Sequence, residues 1–368
     1  MKPKRKLYKI GHLTKLLGIT SRTVRYYDQF GLLPHVKRSD GHIRLFDDED
    51  VEIIKKIRRL QHEDHLPLDE IKLRLFGSKR SKQDLKAIVT DSTAALSPEI
   101  IKSLNIHVIP MYVHIGSEKI LAPDITTKEL WQKSLNLAVE TTTSPPDVET
   151  FSELYQKLAN EGVSEIYSIH LTGKFSKTIE NAKLAAHRVS NRVKVRVVDS
   201  PSTGAGLGLL VQAVAASAQN GASVQEIELL ISKNIPMVYD VLTVHSLKYL
   251  VAAGKFSSAN ENRQNLLQKL FEFKPVLRLK NGELEILSCC KTKNEAMEIM
   301  LNLLDEEIVS RGKYISQICI IYNYLYGEAL ELVNAVKQKY AHIPVNLLES
   351  SVILSVYVGP ESLGISLI

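Results

Sequence analysis

The sequence contains few cysteines and few aromatic residues. Among its 368 residues there are 3 cysteines and 1 tryptophan, and Phe, Trp and Tyr together account for 6%. The odd number of cysteines, none at the spacing of a zinc site, argues against a disulfide framework and against a structural metal. Such cysteine usage is typical of a reducing compartment, so we expect a cytoplasmic protein without a bound metal.

Long apolar runs are also missing. No uncharged stretch reaches the roughly 18 residues that suggest a membrane span, and the basic start Met1–Lys6 is not followed by the apolar segment of a secretory signal. With 44% hydrophobic and 24% charged residues, the composition is that of a globular protein with two or three domains. We therefore predict a multidomain protein that does not span a membrane.

Positive charge is concentrated at the front of the chain. Residues 1–86 hold 21 Lys and Arg against 12 Asp and Glu, whereas residues 87–368 hold 26 against 29. This uneven distribution favours a polyanion as the partner of the first domain alone.

Two helices joined by a glycine turn are predicted near the start. Apolar residues at helical spacing predict a helix over residues 8–17, which Gly18 ends. Thr20 or Ser21 caps a second helix over residues 20–30, and together they form a helix-turn-helix. A basic segment at residues 36–46 suggests a two-stranded wing before the next helix, at about 48–63.

Residues 7 to about 76 resemble the winged helix-turn-helix domain of the MerR family, and we predict a DNA-binding domain over residues 1–76. The matching segments are Thr23–Asp28, Gly31–Pro34, Gly41–Phe46 and the acidic helix start that follows. The wing differs, because His42-Ile43 replaces the single aromatic residue usual in the family. The resemblance implies binding to double-stranded promoter DNA as a homodimer.

Basic and hydroxyl side chains in this segment predict the DNA contacts. Lys and Arg neutralise phosphates, and residues at the start of a recognition helix reach the major groove. The predicted phosphate contacts are Arg22, Arg25, Tyr26, Lys37, Arg38 and Arg44, and the predicted groove contacts are Ser21, Arg22 and Thr23. We assign Tyr27 to the core of the domain.

The predicted linker is short. It spans residues 77–85, of which 77–82 are polar and basic, and it replaces the long helix through which many MerR-family proteins dimerise. We therefore expect the body, a short helix at residues 68–75, or the DNA itself to bring two copies together.

From residue 86 onward, short β-branched runs alternate with helices of 10–15 residues. The predicted strands include residues 87–92, 108–113, 166–170, 193–198 and 318–321. The predicted helices include residues 127–138, 148–161, 176–188, 207–220 and 224–234. This alternation predicts an α/β body with mostly parallel sheets, in which ligands bind at the carboxyl ends of strands.

Six motifs, taken in order along the body, resemble the DegV family of fatty-acid-binding proteins. They are Ile88–Thr93, Thr142–Asp147, His170–Ser176, Val198–Ser200, Leu247–Lys255 and Gly359–Gly364. The resemblance covers the whole body, residues 86–368. It implies two subdomains, approximately 86–240 and 241–368, with an acyl tail in a tunnel between them.

The residues of these motifs suit a carboxylate. Thr143-Ser144 lies before two prolines and presents hydroxyl and N–H groups, and Thr172-Gly173 lies where a strand meets a helix N-terminus, which attracts anions. The resemblance implies that Thr143 and Thr172 bind the head group of a fatty acid. Lys174 and Lys255 are placed to pair with it. We expect no other cofactor, although these hydroxyls would also suit caps of helices and turns.

Some DegV-family proteins present their fatty acid to a kinase. The resemblance implies that this role uses a His near the C-terminal Gly-Pro motif and an Arg after a Gly-Gly pair. In this sequence the matching positions hold Tyr357 and Lys255. The differences favour sensing of the ligand over its phosphorylation, and they place Tyr357 at the ligand site.

Two further features permit other interpretations. The glycines of residues 204–208 suggest a dinucleotide loop, but the full spacing and a partner acid are missing, so we predict close packing. Asp91 and Asp199 end strands as catalytic carboxylates do, yet no base or metal cluster accompanies them. We predict helix caps there and no enzymatic activity.

The sequence thus predicts a DNA-binding transcriptional regulator whose body binds a fatty acid or related acyl ligand and modulates promoter binding. Two alternatives stay open. In the first, the chain is an acyl carrier for a fatty acid kinase. In the second, the body serves only as a dimerisation scaffold.

Overall fold

The computed structural model describes residues 7–33, 36–38, 44–62, 66, 68, 71, 75, 85–137, 140–254, 272–312 and 315–368. The chain divides into two compact units, Met1–Ser81 and Lys82–Ile368. Most of the predicted linker and of the predicted helix at 68–75 lies outside the described residues. The division of the body near residue 240 stays a prediction.

The first unit is a small helical domain with short strands. Its elements are β1 (Tyr8–Lys9), α1 (Ile10–Leu17), α2 (Ser21–Gln29), β2 (Lys37–Arg38), β3 (Arg44–Phe46) and α3 (Asp48–His62). Gly18 ends α1 in the left-handed conformation at φ 61°, and the Thr20 side chain caps α2 by accepting from the Thr23 N–H. The predicted helix-turn-helix is therefore confirmed, with Thr20 as the cap.

The wing is present as a pair of antiparallel strands. β3 lies between β1 and β2, and Lys37 pairs with Leu45. The turn of the wing, residues 39–43, lies outside the described residues. Leu13, Val24 and Phe46 lie in the core of this unit, so both helices and the wing pack on one apolar centre.

The second unit alternates strands and helices, as predicted. Its strands are β4 (Lys86–Asp91), β5 (Ile106–Ile109), β6 (Tyr112–Ile115), β7 (Glu118–Leu121), β8 (Thr141–Ser144), β9 (Glu165–His170), β10 (Lys194–Asp199), β11 (Tyr239–Val244), β12 (Lys274–Lys280), β13 (Glu283–Cys290), β14 (Ile318–Asn323), β15 (Val345–Glu349) and β16 (Ser362–Leu367). Its helices are α4 (Pro98–Ser103), α5 (Thr127–Leu137), α6 (Val148–Asn160), α7 (Thr178–Arg188), α8 (Gly204–Gln219), α9 (Val224–Asn234), α10 (Lys248–Ala252), α11 (Lys293–Arg311), α12 (Tyr326–Lys339) and α13 (Val352–Val358).

The strands of this unit form three sheets. A four-stranded sheet, in the order β10-β9-β4-β5, is entirely parallel. A six-stranded sheet, in the order β13-β12-β11-β16-β14-β15, is parallel only between β14 and β15 in the described chain. A three-stranded antiparallel sheet has the order β7-β6-β8.

The α/β class is confirmed, and the prediction of mostly parallel sheets holds for the four-stranded sheet. The six-stranded sheet is mixed because a hairpin and the last strand enter it antiparallel to their neighbours. Asn281 and Gly282 form the hairpin turn with φ of 51° and 76°, the conformation that a tight two-residue turn requires. The single predicted strand at 108–113 was wrong, since residues 110–111 separate β5 from β6.

Helix α8 lies between the four-stranded and six-stranded sheets, and residues 204–211 are all buried. An element that is apolar on every face must be covered on every face. A Cβ on Gly206 would lie 2.3 Å from Asp240 Oδ1, and one on Gly208 would lie 2.3 Å from the Ala95 carbonyl oxygen. These contacts confirm that the glycine stretch serves close packing.

Candidate functional site

The recognition helix of the first unit separates a charged face from a buried one. Arg22, Arg25 and Tyr26 of α2 are exposed, and 51% of the Tyr26 surface is accessible. Val24 and Tyr27 face the core, where the Tyr27 hydroxyl donates to Gln61 Oε1 at 2.6 Å. The exposed face offers two cations and an aromatic ring to a polyanion.

The first turn of α2 carries the predicted groove residues. Ser21 and Thr23 are half-buried, and the Thr23 hydroxyl lies 2.8 Å from the Thr20 hydroxyl. Thr23 therefore takes part in the helix cap as well as lining the end of the helix. Arg22 extends from the same turn into solvent.

The wing arginine is held inside the domain. Arg44 Nε donates to Asp28 Oδ2 at 2.5 Å, so this guanidinium ties the wing to the end of α2. Its predicted phosphate contact has to compete with that ion pair. Lys37 and Arg38 form β2, and their side chains lie outside the described part of the chain.

A cavity of about 90 Å³ lies beside the N-terminus of α8 in the second unit. Its wall is made by the six-stranded sheet, the loop at residues 171–176 and helices α10 and α13. The apolar residues of the wall include Phe175, Leu242, Leu250, Leu279, Leu284 and Leu354. Tyr357 lines the cavity, as do Ser362 to Gly364 of the last motif.

Thr143 and Tyr357 are brought together from residues far apart in the sequence. Thr143 Oγ1 and the Tyr357 hydroxyl form a hydrogen bond. Burial raises the pKa of the Tyr357 phenol, and the hydrogen bond with Thr143 offsets part of this. The phenol therefore stays neutral at ordinary pH and keeps a proton that it can donate to a carboxylate.

Ser144 lies on the other face of β8. Because Thr143 pairs with Val113 and Ser144 with Tyr112, the two neighbouring side chains point to opposite sides of the sheet. The Ser144 hydroxyl is 2.8 Å from His114 Nε2. The structure thus separates Ser144 from Thr143 and Tyr357.

Thr172 is buried beneath the β12–β13 turn. Only 1% of its surface is accessible, and a Cβ on Gly282 would lie 2.3 Å from the Thr172 hydroxyl. Lys174 Nζ donates to Glu283 Oε1 at 2.6 Å, which ties the same loop to the hairpin. Thr172 is therefore accessible to a ligand only when this hairpin moves.

The neighbouring predicted groups have other partners. The Gly173 N–H donates to the Asp199 carboxylate at 3.2 Å, so Asp199 occupies the position proposed for a ligand anion and caps this loop. Lys255 lies outside the described residues.

Asp91 belongs to a buried hydrogen-bond network with His170, Ser168 and Tyr155. Asp91 Oδ2 is 3.0 Å from His170 Nδ1, His170 Nε2 is 2.6 Å from the Ser168 hydroxyl, and that hydroxyl is 2.7 Å from Tyr155. Burial would raise the pKa of Asp91, but the hydrogen bonds and charge of its partners lower it. Ser168 has no accessible surface, so this arrangement stabilises the sheet and does not expose a nucleophile.

Sequence reasoning missed a polar cluster in the cavity wall. Asp240, Thr203 and Ser366 line the cavity, and Asp240 is 7% exposed. The signals were an acidic residue, Asp240, within an apolar run, and the Ser202-Thr203-Gly204 start of a helix elsewhere in the sequence. It was not recognised because the strand at residues 239–244 was not predicted.

The described residues contain neither a membrane-spanning helix nor a cluster of metal ligands. No helix there is long and apolar enough to cross a membrane. No group of three or more His, Cys, Asp or Glu there is arranged to hold a metal ion.

Comparison with known families matches both units. The family model described as an uncharacterised protein of the DegV family matches residues 86–368. The family model described as a MerR helix-turn-helix regulatory protein matches residues 8–75.

The body is similar to several curated and solved proteins. A DegV domain-containing protein of Halalkalibacterium halodurans is 28% identical over 281 residues, 76% of this chain and 97% of the relative. A DegV domain-containing protein of Staphylococcus aureus is 32% identical over 231 residues, which are 61% of this chain and 80% of the relative. The crystal structure of DegV, a fatty acid binding protein from Bacillus subtilis, is 25% identical with a TM-score of 0.69, covering 77% of this chain and 98% of that one. A stearic-acid-binding protein from Eubacterium ventriosum is 20% identical with a TM-score of 0.70 and equal coverage, so it shares the fold.

Proposed function

The chain belongs to the DegV family and carries a MerR-type helix-turn-helix domain in front of that body, and from this premise we propose that it is a DNA-binding transcriptional regulator whose body binds a fatty acid. Occupancy of the body modulates promoter binding by the first domain. The protein acts as a cytoplasmic homodimer without enzymatic activity. The observation that carries the proposal is the joining of a DNA-binding domain to a DegV body in one chain.

The DNA-binding half of the proposal rests on the exposed face of α2. Arg22 and Arg25 extend from it one turn apart, and Tyr26 lies beside them. Side chains of this kind bind phosphates, while the first turn of the helix reaches base edges. Winged domains of this type bind two half-sites, so a dimer matches the symmetry of an operator.

The ligand-binding half rests on the apolar cavity and on the relative from Bacillus subtilis, whose structure is described as that of a fatty acid binding protein. We place the carboxylate at the hydroxyls of Thr143 and Tyr357 and the tail along the leucine-rich wall of the cavity. Each buried methylene contributes about 0.8 kcal/mol, so the tail supplies most of the affinity and the hydroxyls orient the head.

The cover over Thr172 bears on regulation. The β12–β13 turn lies over this residue, of whose surface only 1% is accessible, and a Cβ on Gly282 would lie 2.3 Å from the Thr172 hydroxyl. A head group that reaches Thr172 therefore binds only when the hairpin moves. The liganded and unliganded protein then favour two different arrangements of the body, which is the condition for a ligand to shift an equilibrium.

The fatty acid half is tested by extracting lipid from the full chain purified under native conditions. We expect a long-chain fatty acid at close to one molecule per chain, measured by native mass spectrometry and by analysis of the extract. Protein free of acyl lipid that also fails to take up added palmitate would contradict this half and favour a scaffold. Transfer of phosphate to a bound fatty acid by a fatty acid kinase would instead favour the carrier alternative.

A further inference from the structure

Asp240 is a buried carboxylate in the wall of an apolar cavity. Among the described residues that line the cavity, it is the one with a charged side chain. It lies on β11 in register with Ser366 of β16, and both side chains face α8. No cation forms an ion pair with it in the described part of the chain, so its charge is balanced by hydrogen bonds alone.

Three donors from the described residues hold this carboxylate. The Ser202 hydroxyl donates to Oδ2 at 2.5 Å, the Ser366 hydroxyl donates to Oδ1 at 2.5 Å, and the Gly206 N–H donates from the first turn of α8. A carboxylate offers about four acceptor positions. One position is therefore left for a further donor.

Thr203 supplies a second unused group at the same wall. It is the N-cap residue of α8, yet its side chain makes no cap hydrogen bond, unlike Thr20 and Ser223 at their helices. Its hydroxyl oxygen is buried and has no hydrogen-bond partner among the described residues. An unpaired buried hydroxyl is unfavourable, and a ligand group that pairs with it would remove this cost.

Burial of a carboxylate without a cation is unfavourable, and burial raises the pKa of Asp240 to about 6. A buried acid with a shifted pKa at the wall of a cavity is typical of a ligand site. The rest of the cavity wall is largely apolar. Asp240 and Thr203 therefore provide directional hydrogen bonding at one point along an apolar tail.

We propose that Asp240 and Thr203 form a hydroxyl-binding subsite, so that the preferred ligand is a fatty acid with a hydroxyl group on its chain. The ligand hydroxyl donates its proton to Asp240 and accepts from the Thr203 hydroxyl, which satisfies both groups at once. The negative charge of Asp240 repels the carboxylate head, so the head lies at Thr143 and Tyr357. This inference rests on the proposed fatty acid function.

The test compares stearic acid with a series of hydroxystearic acids that carry the hydroxyl at successive carbons. Binding to the full chain is measured by calorimetry for the native protein, Thr203→Val and Asp240→Asn. We expect one isomer, or two adjacent ones, to bind about tenfold more tightly than stearic acid, because a hydrogen bond to a charged group is worth about that much. Both variants should lose most of this advantage while still binding stearic acid.

Thr243→Val is the matched control. Thr243, like Thr203, has a buried hydroxyl that finds no partner in the part of the chain that the structure describes, but it lies on the opposite face of β11 from Asp240. It should keep the full preference. If stearic acid binds and no isomer binds more tightly, or if Thr203→Val and Asp240→Asn keep the preference, the subsite is refuted and the fatty acid function stands. If no acyl ligand binds the native chain, the proposed function fails and the subsite fails with it.

Discussion

Thr143 and Tyr357 join two hydroxyls across more than two hundred residues of sequence at the edge of an apolar cavity. Thr143→Val keeps the shape of the side chain and removes one of these hydroxyls. We expect the affinity of the full chain for palmitate to fall about tenfold, because a hydrogen bond to a carboxylate is lost. Titration calorimetry gives the measurement.

Thr142→Val is the control for this change. Thr142 precedes Thr143 in β8, is exposed and points to the opposite face. It should bind palmitate as the native chain does. An equal loss of palmitate affinity in both variants, or no loss in Thr143→Val, would contradict the placement of the head group at Thr143.

Asp240 gives a prediction about pH. Burial raises the pKa of this carboxyl group to about 6, and hydrogen bonds from Ser202, Ser366 and the Gly206 N–H offset part of the effect. The folded chain thus holds the proton more tightly than the unfolded chain, so Asp240 stabilises the fold below about pH 4 and this contribution is lost as the pH rises through about 6. Between about pH 5 and about pH 7.5, the free energy of unfolding should fall by about 1.4 kcal/mol more in the native chain than in Asp240→Asn.

Urea unfolding followed by tryptophan fluorescence measures this difference. Trp131 is the one tryptophan of the sequence and is buried in the body, so its signal reports that unit. Equal pH dependence in the native chain and in Asp240→Asn would show that Asp240 is ionised without penalty.

The exposure of a side chain was predictable from the sequence where it depends only on neighbouring residues in the chain. The exposed Tyr26 and buried Tyr27 follow from the period of α2. The cover over Thr172 was not predictable, because it comes from Gly282, more than a hundred residues away in the chain. The ion pair of Arg44 with Asp28 likewise depends on how the wing folds back.

At the scale of elements, we expect α2 to determine DNA affinity. Arg22→Ala with Arg25→Ala removes two exposed cations, so the slope of the logarithm of DNA affinity against the logarithm of salt concentration should become shallower by about two. Fluorescence anisotropy with an operator fragment selected from random sequence measures this slope. Lys56→Ala, which removes an exposed cation from α3 instead, should leave it unchanged, and an unchanged slope in the double variant would exclude this face.

The packing of α8 against the body is tested with a pair of helical glycines. A Cβ on Gly208 would lie 2.3 Å from the backbone oxygen of Ala95, whereas one on Gly327, in the first turn of α12, has nothing within 4 Å. Gly208→Ala should lower the free energy of unfolding by about 1–3 kcal/mol, because backbone has to move. Gly327→Ala should be neutral or stabilise by up to about 1 kcal/mol. Equal effects in the Trp131 unfolding assay would contradict the close approach.

The helices were predictable because their signals are local. Those expected at 127–138, 148–161 and 224–234 appear within one residue at each end, and Ser223 and Asp147 cap two of them as a helix start requires. The order of the six-stranded sheet was not predictable, since the C-terminal strand β16 inserts between β11 and β14. The β12–β13 hairpin did carry a signal, Asn281-Gly282, that the sequence reasoning did not use.

At the scale of the whole molecule, we propose that fatty acid binding by the body is coupled to DNA binding by the first unit. A ligand alters DNA binding only by the difference in its affinity for two states of the protein, which is typically 1–3 kcal/mol, or roughly 5–150-fold. The β12–β13 turn over Thr172 gives a physical reason for two states, because a ligand that reaches Thr172 has to move this turn. The coupling is reciprocal, so DNA must change the affinity for the fatty acid by the same factor.

The most direct measurement is the dissociation constant of the full chain for its selected operator, with and without saturating palmitate. We predict that palmitate changes this dissociation constant by at least about fivefold, and that Thr143→Val requires about tenfold more palmitate for the same effect. An identical dissociation constant, in samples that calorimetry shows to be saturated with palmitate, would contradict it.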